Sequence, residues 1–306
     1  MGTPDFALPT LRALCESGHD IVGVVTKIDM PRGRGHHMMP TPIKVYAMEQ
    51  GIPVYQPNTL KGEEFASTLA ELDPEMIVVV AFGKILPRNV LDYPKYGCVN
   101  VHGSLLPEYR GAAPMQRAII DGKKITGVTT MMMADGIDTG DMLLKAAVEI
   151  CENDNFEIVH DKLAECGANL LIETVEKLEK GEIVPQKQDE SLATHAAKIE
   201  KSDCLLDFSE DVTTLHDLIR GLSPIPLAFT HTPDGKLLKI VESRVENESH
   251  TSDKPCGTVI SVVEDIKVIC GRGILSIRAV VPEGKGKMGA ADFVRGRKIA
   301  VGDLLK

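Results

Sequence analysis

Four apolar, largely β-branched runs, 21–26 (IVGVVT), 76–82 (MIVVVAF), 96–103 (YGCVNVHG) and 126–133 (TGVTTMMM), are separated by segments of helical character. No other feature restricts the first half of the chain as much. The runs are continuous rather than alternating, the pattern of strands covered on both faces. Between them, 9–18, 42–51, 62–73 and 115–122 read as helices, some closed by a glycine, a common helix terminator. This β–α alternation predicts an α/β fold with a doubly wound, mostly parallel, Rossmann-like sheet. Such a sheet binds ligands at the carboxyl ends of its strands, so the loops there are where chemistry is sought.

The pattern changes further on. A long helix is expected over 155–181, where Ile158, Leu163, Leu170, Leu171, Val175 and Leu178 make an apolar stripe. Residues 182–203 are polar, contain Pro185 and lack a period, so they read as a connection. Beyond 204 come one helical segment (213–223) and short strands at 237–245, 257–263, 266–273 and 274–281, separated by Gly and Pro. That texture predicts a small β-barrel of the OB-like kind. The expected organisation is a domain over 1–181, a connection over 182–203 and a barrel over 204–306, which suits 306 residues at ~150 per domain.

Charge and cysteine usage narrow the class. The formal net charge of −10, taken as a sum, argues against a nucleic-acid partner, because phosphate binding rests on cationic patches. Seven cysteines, an odd number with no CxxC pair, speak against a disulfide framework or a cysteine-rich zinc site, and reduced thiols in a cytoplasm are expected. No apolar run reaches the ~18 residues of a transmembrane helix, and MGTPDFALPT has no secretory character. No membrane partner is expected.

Neither GxGxxG after a strand nor GxxxxGK[ST] occurs, so dinucleotide and P-loop nucleotide binding lose their main support. The informative segment is Asn100-Val-His102-Gly-Ser104-Leu105-Leu106-Pro107-Glu-Tyr-Arg-Gly-Ala-Ala-Pro114. Asn100 and His102 end a predicted strand two residues apart and project from one face. An amide and an imidazole converging there can stabilise a developing oxyanion and move a proton; equally, they can cap the strand end and satisfy local backbone. A second candidate, Asp135-Gly-Ile-Asp138-Thr-Gly140-Asp141, follows the last strand. It fails the calcium-loop pattern, whose twelfth position would be Ala146 instead of Glu. Two readings remain there, a turn with solvated acids or one carboxylate held beside His102.

NVHGSLLPEYRGAAP together with GIDTGD resembles the formyltetrahydrofolate-dependent formyltransferase family. GTPDF (2–6), VVTKIDMPRGRG (24–35), PTPIKVYA (40–47), AFGKILP (81–87) and RGLSPIP (220–226) fall in the family's order, so the resemblance covers essentially the whole chain. It implies formyl transfer from 10-formyltetrahydrofolate to the α-amine of initiator methionyl-tRNA by a monomer, without a metal. The family's catalytic Asn, His and Asp land on Asn100, His102 and Asp138. Its folate loop lands on Ser104, Leu105, Leu106 and Pro107, and Phe82, Gly83 and Ile85 are expected to wall the pterin. Family members also carry a hydrophobic strand before GTPDF. Here Met1 directly precedes Gly2, so a sheet lacking its first strand, with exposed neighbouring edges, is expected.

The resemblance also locates the tRNA. PRGRGHHMMP (31–40) falls where the family inserts a loop into the acceptor stem, with Arg34 at its critical basic position and Arg32 beside it. Over 27–44, Lys27, Arg32, Arg34 and Lys44 outnumber Asp29, and over 284–298, Lys285, Lys287, Arg295, Arg297 and Lys298 outnumber Asp292. Two basic stretches thus lie inside an acidic chain and can hold phosphates. The rival readings are a formyltransferase for a small acceptor, a purine-precursor ribotide or an amino sugar, and a noncatalytic RNA-binding relative.

Overall fold

The computed structural model describes residues 1–32, 37–296 and 298–306. Contacts divide the chain into two units. The first comprises 1–111, 126–148 and 160–195, and the second comprises 112–125, 149–159 and 196–306.

In chain order the first unit carries α1 (Leu8–Glu16), β1 (Val24–Val25), β2 (Met30–Arg32), β3 (His37–Met39), α2 (Pro42–Glu49), β4 (Val54–Tyr55), α3 (Glu63–Leu72), β5 (Ile77–Val79), α4 (Arg88–Leu91), β6 (Cys98–His102) and β7 (Arg110–Gly111). After α5 (Pro114–Ile120), which belongs to the second unit, it resumes with β8 (Ile125–Met132) and β9 (Met142–Glu149). The long α6 (Phe156–Glu179) and the two-residue β10 (His195–Ala196) follow.

The main sheet runs β5-β6-β8-β9. β5 and β6 are parallel, but β6 and β8 are antiparallel, with Val99 opposite Met132 and His102 opposite Thr129. The sheet is therefore mixed. A continuous buried run reports coverage on both faces and carries no information on strand direction, so the mostly parallel expectation could not say which strand pair would run antiparallel. The α6 stripe is built from Val159, Leu163, Leu171 and Val175, all buried, whereas Ile158 lies on the exposed face. Gly167 permits this packing: a Cβ there would stand 2.9 Å from Cγ1 of Val101.

β1 pairs with β4 and not with β5. Between β1 and β5 stand Met1 and Gly2. The N–H of Gly2 donates to the Val25 carbonyl, that of Val80 donates to the Met1 carbonyl, and Gly2 bridges Val80 in parallel. A cavity of about 430 Å³ adjoins them, lined by Leu11, Val22, Val24, Leu69, Ile77 and Val78 among others. It is remote in composition from the strand-end loops, since none of Asn100, His102 and Asp138 lines it.

The second unit contains α5, α7 (Val212–Gly221), β11 (Ala228–His231), β12 (Leu237–Asn247), β13 (Val259–Ser261), β14 (Ile266–Ile269), β15 (Ile274–Pro282), β16 (Met288–Gly289) and α8 (Ala290–Arg295). Its sheet is antiparallel in the order β11-β12-β15-β14-β13, with β16 added to β15 and register shifts that bend β12 against β15. β11 and β13 do not pair. Instead the last residues bond to both edges: Val259 donates to the Asp303 carbonyl, Leu305 to that of Gly257, and His231 and Lys306 exchange backbone bonds. The product is a curled, barrel-like sheet filled by Leu215, Ile219, Leu238, Ile240, Val268 and Ile277 among others. α5 packs on α7, which explains why a segment within the expected first domain joins this unit. Among the described residues no helix is long and apolar enough to cross a membrane.

Candidate active site

β6 alternates as its pattern requires. Val99 and Val101 are buried in packing, while Cys98, Asn100 and His102 share the other face. Cys98 sits deepest, its thiol donating to the carbonyls of Val90 and Leu91, and burial pushes that thiol up to about 12, which makes it a packing residue. Asn100 is half-buried and His102 is 6% exposed at the carboxyl end of the strand.

Two loops converge on the His102 ring. Nε2 lies 3.0 Å from the Tyr109 carbonyl, and Nδ1 lies 3.6 Å from Oδ2 of Asp138. Both nitrogens thus face oxygens that can only accept. The second distance is too long for a hydrogen bond, so the Nδ1 edge is left with bonding capacity. Asp138 itself is fixed by the backbone N–H of Gly111, which donates to Oδ2 at 2.9 Å. The carboxylates of its loop diverge, with Asp135 paired to Arg88. Gly140 is required where the loop returns, since a Cβ there would stand 1.8 Å from the Met132 carbonyl oxygen. Among the described residues no group of three His, Cys, Asp or Glu is arranged to hold a metal.

The loop after β6 is fastened from β8 and β9. Thr129 Oγ1 donates to the Ser104 carbonyl at 2.8 Å and accepts from the Leu106 N–H at 3.0 Å. Ser104 Oγ donates to the Glu108 carbonyl, Lys145 Nζ donates to that of Leu106, and the Leu106 side chain packs with Met131 and Met142. Leu105 and Pro107 are half-buried. The other expected folate residues diverge: the Phe82 ring is buried with Val25, Leu86 and Val90, while Ile85 is 81% exposed. Gly83 has φ 68°, with Lys27 alongside.

A third segment, unmarked by any sequence motif, holds both loops. Gln188 Nε2 donates to the carbonyls of Asp138 and Gly140, each at 2.8 Å, and its Oε1 accepts from Arg110 Nε at 2.9 Å. Arg110 closes a bidentate pair on Glu190, which holds that carboxyl below its usual range and raises the guanidinium. Thr194 accepts from the Tyr109 N–H through its hydroxyl and from the Arg110 N–H through its carbonyl. These residues lie in the polar stretch read as a connection. Hydrogen-bonding residues in a segment without periodicity leave no mark in a sequence.

The basic residues differ in availability. Arg34, His36 and Arg297 lie outside the described residues. Arg32 ends β2, opposite His37 in the β2–β3 hairpin. Lys44 does not add to a cationic surface as its charge suggested: Nζ donates to Asp29 at 2.7 Å and to Gln56 at 2.8 Å, holding the Asp29 carboxyl below its usual range. In the second unit Lys285 and Lys287 are exposed on the β15–β16 turn and Lys298 is exposed after α8, whereas Arg295 pairs with Asp292.

The formyl transferase family model matches residues 1–175, and that for the formyl transferase C-terminal domain matches 198–298. Methionyl-tRNA formyltransferase of Citrifermentans bemidjiense is 48% identical over 306 residues, spanning 100% of this chain and 95% of that protein. The N-formyltransferase of Helicobacter canadensis, solved with folinic acid and dTDP-3-aminofucose, has the same fold at TM-score 0.66 and 18% identity, covering 90% of this chain and 96% of its own. HypX from Aquifex aeolicus, solved with tetrahydrofolic acid, aligns at TM-score 0.60 and 17% identity over 81% of this chain, which spans only 43% of HypX.

Proposed function

The chain belongs to the formyl transferase family, and from that premise we propose that it transfers the formyl group of 10-formyltetrahydrofolate to the α-amine of initiator methionyl-tRNA. The observation that carries this reading is the meeting of Asn100, His102 and Asp138: two groups on one strand face, and a carboxylate anchored 3.6 Å from the ring. In the proposed step the amine attacks the formyl carbon and the carbonyl π pair moves to oxygen. The Asn100 amide and the Nδ1 edge of His102 bond that oxyanion, each such contact lowering the barrier by ~3 kcal/mol. Asp138, next to the ring, orients it and assists removal of the proton from the attacking nitrogen. Collapse breaks the bond to N10, which takes up the proton shed by the attacking nitrogen and leaves as the neutral N10–H of tetrahydrofolate. The formyl group arrives already activated, so the step is written without a metal.

Folate is assigned to the loop of Ser104, Leu105, Leu106 and Pro107, where Thr129 fixes the backbone. Phe82, Gly83 and Ile85 are proposed at the pterin, Gly83 and Ile85 being exposed and Phe82 buried. The tRNA is assigned to Arg32, Arg34, Lys285, Lys287, Arg295, Arg297 and Lys298. A translation substrate and unpaired thiols go with a cytoplasmic monomer. The test supplies radiolabelled 10-formyltetrahydrofolate with charged initiator tRNA, a purine-precursor ribotide or an amino sugar nucleotide in parallel. Label is expected on methionyl-tRNA alone. Transfer only to a small acceptor overturns the assignment of the acceptor, and transfer to none overturns the enzyme reading.

A further inference from the structure

We propose that Gln188 is a positioning residue for Asp138, tied back through Arg110, and that the 186–194 segment thereby sets the His102–Asp138 geometry. The inference rests on the reading of the site given above. Asp138 needs such a hold. Its φ of 53° lies in the left-handed region, which strains a residue with a Cβ unless its surroundings fix it. Among the described residues the hydrogen-bond donor at its Oδ2 is the Gly111 N–H, so the loop backbone must supply the rest of the constraint.

Gln188 supplies it with every group it has. Both amide hydrogens go to the loop, one to the Asp138 carbonyl and one to that of Gly140, and the amide oxygen takes the Nε–H of Arg110. An amide so bonded cannot flip without losing all three contacts. It is 9% exposed, as is Arg110, so water competes little for these bonds. Arg110 is in turn locked to Glu190 by two bonds of 2.8 and 2.9 Å. Next to it in sequence, the Gly111 N–H holds the carboxylate itself. The residue that anchors Gln188 and the donor that anchors Asp138 are therefore neighbours on one backbone, and the Gln188 amide closes the ring. One further pair, the reciprocal backbone bonds of Gln186 and Met142, pins the segment just beyond the loop.

The test separates positioning from folding. Gln188→Glu keeps the shape and the bond from Arg110, but turns an acceptor toward two carbonyls. Gln188→Leu removes all three bonds. Arg110→Lys leaves Gln188 in place without its Nε–H anchor. Each is assayed for formyl transfer to methionyl-tRNA, alone and in an Asp138→Asn background, with thermal unfolding recorded. Both Gln188 variants are expected to lower kcat at least about tenfold with either KM within about threefold, and Arg110→Lys to lower it less. In the Asp138→Asn background Gln188→Glu is expected to cost under about twofold, because the group it positions is already disabled. If Gln188→Leu does not fold, Gln188→Glu and Arg110→Lys carry the same readout. Values of kcat near wild type in the folded variants, a rise in KM alone, or equal losses in both backgrounds overturn the proposal. Wild-type protein that formylates no acceptor overturns the functional reading instead.

Discussion

Oδ2 of Asp138 stands 3.6 Å from Nδ1 of His102 while accepting the backbone N–H of Gly111 at 2.9 Å. The carboxylate is thus held beside the ring by main chain, and the ring keeps one edge able to bond a substrate atom. His102→Ala is expected to lower kcat by about 10²–10⁴, the range for losing a positioned acid–base group. Affinity for methionyl-tRNA, measured by filter binding, should stay within about threefold, since the ring is buried and its loss removes no cation from the surface. A variant with near-normal kcat would remove His102 from the chemistry.

Thr129 governs the other half of the site. Its hydroxyl serves the Ser104 carbonyl and the Leu106 N–H together, and it is fully buried. Thr129→Val preserves shape but strands both backbone groups, a penalty of about 1–3 kcal/mol for each buried group left unpaired. The expected result is a KM for the folate raised by about an order of magnitude, with the KM for tRNA unchanged. Equal changes in both constants would mean that the loop does not serve the folate in particular.

Much of this arrangement was legible in the sequence, for identifiable reasons. Alternation along β6 places Asn100 and His102 on one face whatever the surroundings, so two residues of spacing sufficed. The long apolar runs marked the strands, and the amphipathic stripe marked α6. Direction was not legible: Thr129 and Thr130 are fully buried in a strand antiparallel to its neighbour, and burial alone does not encode that. Nor were Gln188, Arg110 and Thr194 found, because their work is done by hydrogen bonds across 48 to 85 residues of chain. Charge counting misjudged Lys44 for the opposite reason, since a tally cannot see that Asp29 and Gln56 already occupy it.

Burial of His216 makes stability depend on pH. The ring is buried with Nδ1 2.9 Å from the Ser243 hydroxyl, and that burial lowers it from its ordinary 6.5. As pH falls below 6.5 the unfolded chain takes up this proton before the folded chain does, so stability is lost toward acid and is fully present above 6.5. Chemical denaturation of the wild type and of His216→Gln at about pH 5, 6 and 7.5 checks this. A profile that the substitution leaves unchanged would rule out the ring as its source.

Individual cations within the two basic stretches are distinguishable by salt. Each cation that neutralises a phosphate on binding contributes about 0.7–0.9 to the slope of log K against log salt. Lys287 is exposed on the β15–β16 turn, so Lys287→Ala should weaken tRNA binding and reduce that slope by somewhat under 1. Arg34→Ala should do the same and leave folate binding intact. Lys44→Ala provides the internal contrast. Its ammonium is already neutralised by Asp29, and removing it frees a carboxylate rather than a phosphate contact, so the slope should not fall. A model in which charge count alone attracts the tRNA predicts equal effects for all three substitutions. A model in which unpaired cations grip phosphates predicts that Lys44 stands apart, and the salt titration of the three variants decides between them.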